Sequence, residues 1–150
     1  MTLTKSVNDV LYGMMDSVKS ILPFDIITDQ PSTFIEPISH HSFGVLIGMT
    51  GNINGNIIID GNEDIFQKIG ECMFGMKLEG EMLQSFAGEL GNMLAGTLST
   101  SISTHGLEMD ITPPTVLVKE TFSNIYERAF KLPFHLADIG SLFIILMMDY

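Results

Sequence analysis

The segment SFGVLIGMTGNINGNIIIDG, from Ser42 to Gly61, constrains this chain more than any other. Two runs of β-branched and apolar residues flank a turn rich in Gly and Asn, which accept the positive φ that tight hairpin turns demand. The fold is therefore expected to contain antiparallel sheet. A second hairpin is expected where Phe134 to Leu136 and Leu142 to Met148 flank Asp138-Ile139-Gly140. Shorter strands are expected at Thr33 to Glu36 and at Thr115 to Lys119.

Helices separate these strands. Val7, Val10, Leu11, Met14, Met15, Val18 and Ile21 recur at three- and four-residue steps, which gives one apolar helix face, and Pro23 ends it. Asn62 is placed to cap a helix running through Phe74, with Gly75 at its C-terminal cap. Its expected buried side is Ile65, Phe66, Ile69, Cys72 and Met73, which makes Cys72 a small core filler rather than a reactive thiol. A longer helix is expected from about Glu79 to Ser103, with apolar positions Met82, Leu83, Phe86, Leu90, Met93, Leu94 and Leu98. The order helix, short strand, hairpin thus occurs in residues 5–60 and again in residues 80–148. This predicts one pseudo-symmetric α+β domain over residues 1–150, with two long helices packed on one antiparallel sheet.

Composition narrows the function. The 150 residues carry 18 acidic and seven basic side chains, a net charge of -11, and Arg128 is the only arginine. A phosphate-tracking groove needs clustered Lys and Arg, so nucleic acid is excluded as a partner, and anionic membrane surfaces are disfavoured by the same count. A single cysteine excludes internal disulfides and CxxC motifs. The N-terminal residues lack the form of a signal peptide, and the apolar run Leu142 to Met148 is far too short to span a bilayer, so a cytoplasmic protein is expected.

Catalytic motifs of the common kinds are missing. There is no P-loop, and the serines have no Asp and His companions at recognisable spacing. His40 and His41 would point to opposite faces of a strand, and His105 and His135 lie far away in sequence, so no metal site is expected. Glu63 and Asp64 sit in a first helical turn, where the helix dipole favours acids. Glu79, Glu81, Glu108 and Asp110 scatter near helix ends and loops.

The helix expected at residues 79–103 is different. At about 100° per residue, Ser85, Glu89, Asn92, Gly96 and Ser99 form one narrow polar stripe, roughly a third of a turn from the apolar set around Phe86, Leu90, Met93 and Leu94. The stripe is expected to face outward. It holds none of the Lys, Arg or Gln that normally favour an exposed helix face, and Gly88, Gly91 and Gly96 each cost about 1 kcal/mol against alanine. Close approach of another surface is the natural reason for them. Glu89 and Asn92, three residues apart, are neighbours that could position a water molecule or grip a partner's lysine, although E-x-x-N spacing alone also fits a solvated face.

The pattern Ser85-x3-Glu89-x2-Asn92, followed by Pro113-Pro114, resembles the signature of the CheX/CheC/FliY chemotaxis phosphatases. Here 21 residues separate Asn92 from Pro114, one fewer than the family's usual spacing. Ala95-Gly96 and the doubled helix–strand–hairpin order also resemble the family. The first helix, around Asn8-Asp9-Val10-Leu11-Tyr12, has no E-x-x-N, and one motif per chain is CheX-like, whereas CheC- and FliY-like chains carry two. The resemblance implies hydrolysis of the aspartyl-phosphate of a CheY-like response regulator. By it, Glu89 pairs with the regulator's lysine and Asn92 orients the attacking water. Ser85, Gly88 and Gly96 support or contact the partner. No cofactor is expected on this chain, the Mg2+ belonging to the regulator. The resemblance also allows a homodimer joined through its sheets; the uncharged Leu142 to Met148 strand would invite such pairing at a sheet edge and would simply be core at the sheet centre. A non-catalytic module of the same fold, binding a regulator or a flagellar-motor component, is the alternative.

Overall fold

The computed structural model describes residues 5–28, 32–34, 43–118 and 129–149. In chain order the elements are α1 (Lys5–Ile21), β1 (Ile26–Thr28), β2 (Ser32–Phe34), β3 (Phe43–Gly51), β4 (Asn54–Gly61), α2 (Glu63–Phe74), α3 (Gly80–Ser103), β5 (Met109–Ile111), β6 (Thr115–Val118), β7 (Ala129–Leu136) and β8 (Gly140–Asp149). Local chemistry explains several boundaries. Asn62 accepts a hydrogen bond from the Ile65 N–H at 2.9 Å and caps α2, and Gly75 ends that helix at φ 72°.

The strands form one antiparallel sheet in the order β1-β7-β8-β4-β3-β5, with β2 beside β1 along β7 and β6 beside β5 along β3. Hairpins β3–β4 and β7–β8 meet at the centre through the β4–β8 ladder. The short strands that precede each hairpin border the other hairpin: β1 and β2 pair with β7, while β5 and β6 pair with β3. The expected pseudo-symmetry is therefore present, with its two halves interleaved.

One apolar core joins Val10 and Met14 of α1, Phe66 of α2 and Leu90 and Leu94 of α3 to Val45, Ile57, Leu132 and Ile144 of the sheet. Alternate strand residues on the other face, Ile58, Ala129, Ile145 and Met147, form a smaller buried cluster. The long helices lie against each other. Gly13 lets them approach, since a Cβ there would stand 2.9 Å from Leu98 Cδ1, and the buried Ser17 hydroxyl donates to the Leu94 carbonyl at 2.8 Å.

Several expectations need correction. Of the two places open to Leu142 to Met148, the structure gives the sheet centre, since β8 is paired on both sides. Strands β1 and β5 were not foreseen, because three residues are too few to display a period. Cys72 is exposed. It points about 90° away from the centre of the face formed by Ile65, Phe66, Ile69 and Gly70, on which the half-buried Met73 also packs against the core. Met82 is also exposed, lying about 120° from the centre of the buried stripe of α3. Met93 stands at the margin of that stripe and is half-buried. Ile35, Glu36, His40, His41, Lys119 and Arg128 lie outside the described residues.

Candidate functional site

Helix α3 packs its apolar side, Leu83, Ala87, Leu90, Leu94 and Leu98, onto the sheet, so the opposite side is turned outward. Ser85, Glu89 and Asn92 are exposed there, and Gly96 is half-exposed. Together with Gln84 and Gly88 they form one wall of an open groove of about 690 Å³. The other wall is Ile111, Thr112, Pro113, Pro114 and Val116, the end of β5, the start of β6 and the link between them. The structure thus brings Ser85, Glu89 and Asn92 together with Pro113 and Pro114, the residues that the sequence pattern had connected across 21 positions.

The two walls differ in chemistry. Glu89 supplies a carboxylate and Asn92 a carboxamide that both donates and accepts. Among the described residues, neither side chain has a hydrogen-bond or ion-pair partner, so both are available to an incoming group. The proline wall offers no side-chain charge. It is fixed to the sheet by Thr112, whose hydroxyl accepts from the Gly48 N–H at 2.8 Å, while its own N–H donates to the Gly48 carbonyl at 3.0 Å. Gly48 belongs to β3, the strand that α3 also covers, so both walls are referenced to one strand. Thr112 and Gln84 were missed in the sequence. The position of Thr112 immediately before Pro113-Pro114 was the signal that could have found it.

The three glycines of α3 have three different surroundings. A Cβ at Gly91 would stand 2.8 Å from Val45 Cγ1 and 3.3 Å from Ile47 Cδ1, so this glycine lets the helix sit close on its own sheet and has no part in the groove. A Cβ at Gly88 would touch Pro114 and Val116 at 3.7 and 3.6 Å, so this glycine sets the width of the groove floor. At Gly96, among the described residues and apart from the helix's own backbone and the glycine's chain neighbours, no atom lies within 4 Å of where a Cβ would be. Only Gly96 fits the expectation of a surface kept low for something outside the chain. Gly96→Ala should therefore stabilise the protein by about 1 kcal/mol and raise its melting temperature by roughly 2–4 °C in a thermal melt. Ser99, the last member of the stripe, is turned inward: its hydroxyl donates to the Met109 carbonyl at 2.7 Å and ties α3 to β5.

The remaining candidates are dispersed. His105 lies 3.8 Å from Asp9, linking the end of α3 to α1, and His135 contacts the Ser141 hydroxyl at 2.9 Å in the β7–β8 hairpin. Among the described residues no three His, Cys, Asp or Glu side chains converge as a metal site would require. Among them also, no helix is long and apolar enough to cross a membrane.

Comparison with known proteins matches the family and the fold. The family model described as chemotaxis phosphatase CheX matches residues 43–135, a span that includes both walls. The CheY-P phosphatase CheX of Thermotoga maritima is 34% identical over 114 residues, covering 74% of each chain. Two solved structures share the fold over nearly their whole length. A CheC-like superfamily protein from Shewanella has a TM-score of 0.80 at 22% identity, covering 99% of this chain and 100% of its own. The CheX of a CheX–CheY–BeF3–Mg2+ complex from Borrelia burgdorferi has 0.81 at 22% identity, covering 97% and 99%. The FliY structure of Thermotoga maritima is more distant, at 0.69 and 17% identity over 98% and 92%.

Proposed function

The chain belongs to the CheX family of chemotaxis phosphatases, and on that premise we propose that it hydrolyses the aspartyl-phosphate of a CheY-like response regulator through Glu89 and Asn92. The observation that carries this reading is the placement of these two side chains. They stand exposed, without partners among the described residues, on the wall of a groove facing Pro113 and Pro114.

In this reading the regulator brings the phosphorylated aspartate, a magnesium ion and a lysine, and the chain brings side chains alone. Glu89 pairs with the lysine and fixes the helix on the regulator's site. Asn92 accepts a hydrogen bond from a water molecule and holds its oxygen in line with phosphorus. Attack forms the new P–O bond as the bond to the aspartyl oxygen breaks, releasing inorganic phosphate and restoring the carboxylate; the water's proton passes to phosphate or solvent. Little covalent work falls to the protein, since catalysis of phosphoryl transfer is mostly positioning and charge stabilisation. Ser85, one turn before Glu89, Gly88 at the groove floor and low-lying Gly96 shape the surface that meets the regulator. Such a partner places the protein in the cytoplasm. A homodimer, if the sheets join, would have to use the β1–β2 or β5–β6 side, because every other strand is paired on both sides.

The test is a time course of radiolabelled phospho-regulator. Substoichiometric protein is expected to shorten the label's lifetime with turnover. An unchanged lifetime, with binding retained, would support the non-catalytic module instead.

A further inference from the structure

The large apolar side chains that stand exposed among the described residues are Tyr12, Ile27, Phe74, Met76 and Met82. The last three fall within nine positions, where α2 ends and α3 begins, with exposures of 61%, 52% and 55%. This concentration is not a by-product of a loose connection. The Phe74 ring packs edge-on against Phe86 of α3, 5.6 Å between centroids and at 90°. Leu78 is buried beside Gly70, and its carbonyl accepts from Gln67 Nε2 at 3.4 Å. The one cation of the segment, Lys77, is paired with Glu79 at 3.2 Å. The patch is thus held in place and apolar, and of the segment's two carboxylates, Glu79 and Glu81, the first is paired with its one cation.

Its position follows from helix geometry. Met82 precedes Glu89 by two turns, so it lies about 20° from Glu89 around the axis of α3 and about 10 Å from it along that axis. A stable interface buries about 800 Å² on each partner, which corresponds to a disc of roughly 16 Å radius. Any protein seated on Glu89 and Asn92 with such a footprint reaches Met82, and Phe74 packs on Phe86, one turn after Met82 on α3.

From this continuity we infer that Met82 and Phe74, with Met76 in the short link between their helices, form an apolar docking patch for the same receiver domain that engages Glu89. The inference rests on the phosphatase reading of the groove and adds where the binding energy resides. A chain of net charge -11 has no long-range attraction for an acidic phosphorylated site. Two adaptable methionines and a pre-positioned ring offer affinity that does not depend on charge. One partner is specified, the receiver domain, in place of a second copy of this chain.

The experiment compares wild type with Met82→Gln and with the double variant Met76→Gln, Met82→Gln, all at exposed positions where Gln keeps the chain length. Turnover of phospho-regulator is measured against its concentration, together with titration by beryllofluoride-activated regulator and light scattering of the phosphatase alone. The expected result is a KM and a dissociation constant raised about tenfold in the double variant, with kcat within twofold of wild type. An unchanged KM and dissociation constant would overturn the inference while wild-type turnover keeps the phosphatase reading intact. A change in oligomeric state with unchanged affinity for the regulator would also overturn it, because the patch would then cover a second copy. Absence of wild-type turnover would instead sink the reading of the groove itself.

Discussion

Asn92→Ala is expected to lower the rate of regulator dephosphorylation by about 100-fold or more while leaving the melting temperature within a few degrees of wild type. The size follows from what the carboxamide does. A water molecule displaced by about 1 Å from its line of attack can cost two orders of magnitude, and the groove's other carboxamide, Gln84, lies about two turns away along α3. The small effect on stability follows from the surroundings. Asn92 is exposed and, among the described residues, without a hydrogen-bond partner, and alanine is the better helix former. Affinity for the activated regulator should survive, because Glu89 and the surface around it are untouched. A stopped or radiolabelled time course, run beside a thermal melt and a binding titration, checks all three parts. A variant as active as wild type would remove Asn92 from the mechanism.

Gly91→Val is expected to do the reverse, damaging the fold at a position that never faces the partner. The valine Cβ would stand 2.8 Å from Val45 Cγ1, 3.3 Å from Ile47 Cδ1 and 3.4 Å from Ile59 Cδ1, and its two methyl groups would reach further into a filled core. Overpacking of this kind costs about 1–3 kcal/mol, or more where the backbone must move. For a protein of this size each kcal/mol lowers the melting temperature by roughly 2–4 °C. Where these side chains do not give way the helix must lift from β3, and the proline wall is tied to that same strand at Gly48. Lifting α3 therefore also widens the groove, so the variant's remaining folded fraction should show a raised KM. Differential scanning calorimetry and steady-state kinetics on one preparation separate the two effects. An unchanged melting temperature would mean that the contact between α3 and β3 is looser than these distances indicate.

The sequence made some of this visible and hid the rest for identifiable reasons. The hairpins and the cap at Asn62 are written in local chemistry: φ preferences of Gly and Asn, and a side-chain oxygen able to reach a free N–H. Glu89 and Asn92 were legible because a helix converts a spacing of three into adjacency, and their facing prolines because the motif spans the loop. The interleaving was not legible. The pairing partner of a three-residue strand such as β1 is fixed by the whole sheet, and nothing in Ile26–Thr28 names β7. The same limit applies to Thr112, whose hydroxyl matters only because β3 passes beside it, and to Gly91, which looked like its neighbours Gly88 and Gly96 until the sheet was placed beneath it.

The central β4–β8 ladder sets a timetable for the newborn chain. Asp60 pairs with Phe143 and Asn54 with Asp149, so the two strands at the middle of the sheet are joined across more than half the sequence. Contacts so distant carry a high loop-closure cost and form late. During translation α1, the first hairpin and the groove-bearing α3 are all made before β8, yet β4 keeps an uncovered side until β8 arrives. An unfinished chain therefore presents the apolar strand Ile57-Ile58-Ile59 as an open edge, the kind of surface that chaperones hold and that aggregates recruit. The groove's residues, on α3, β5, β6 and the link between them, thus all leave the ribosome before the strand that protects that edge.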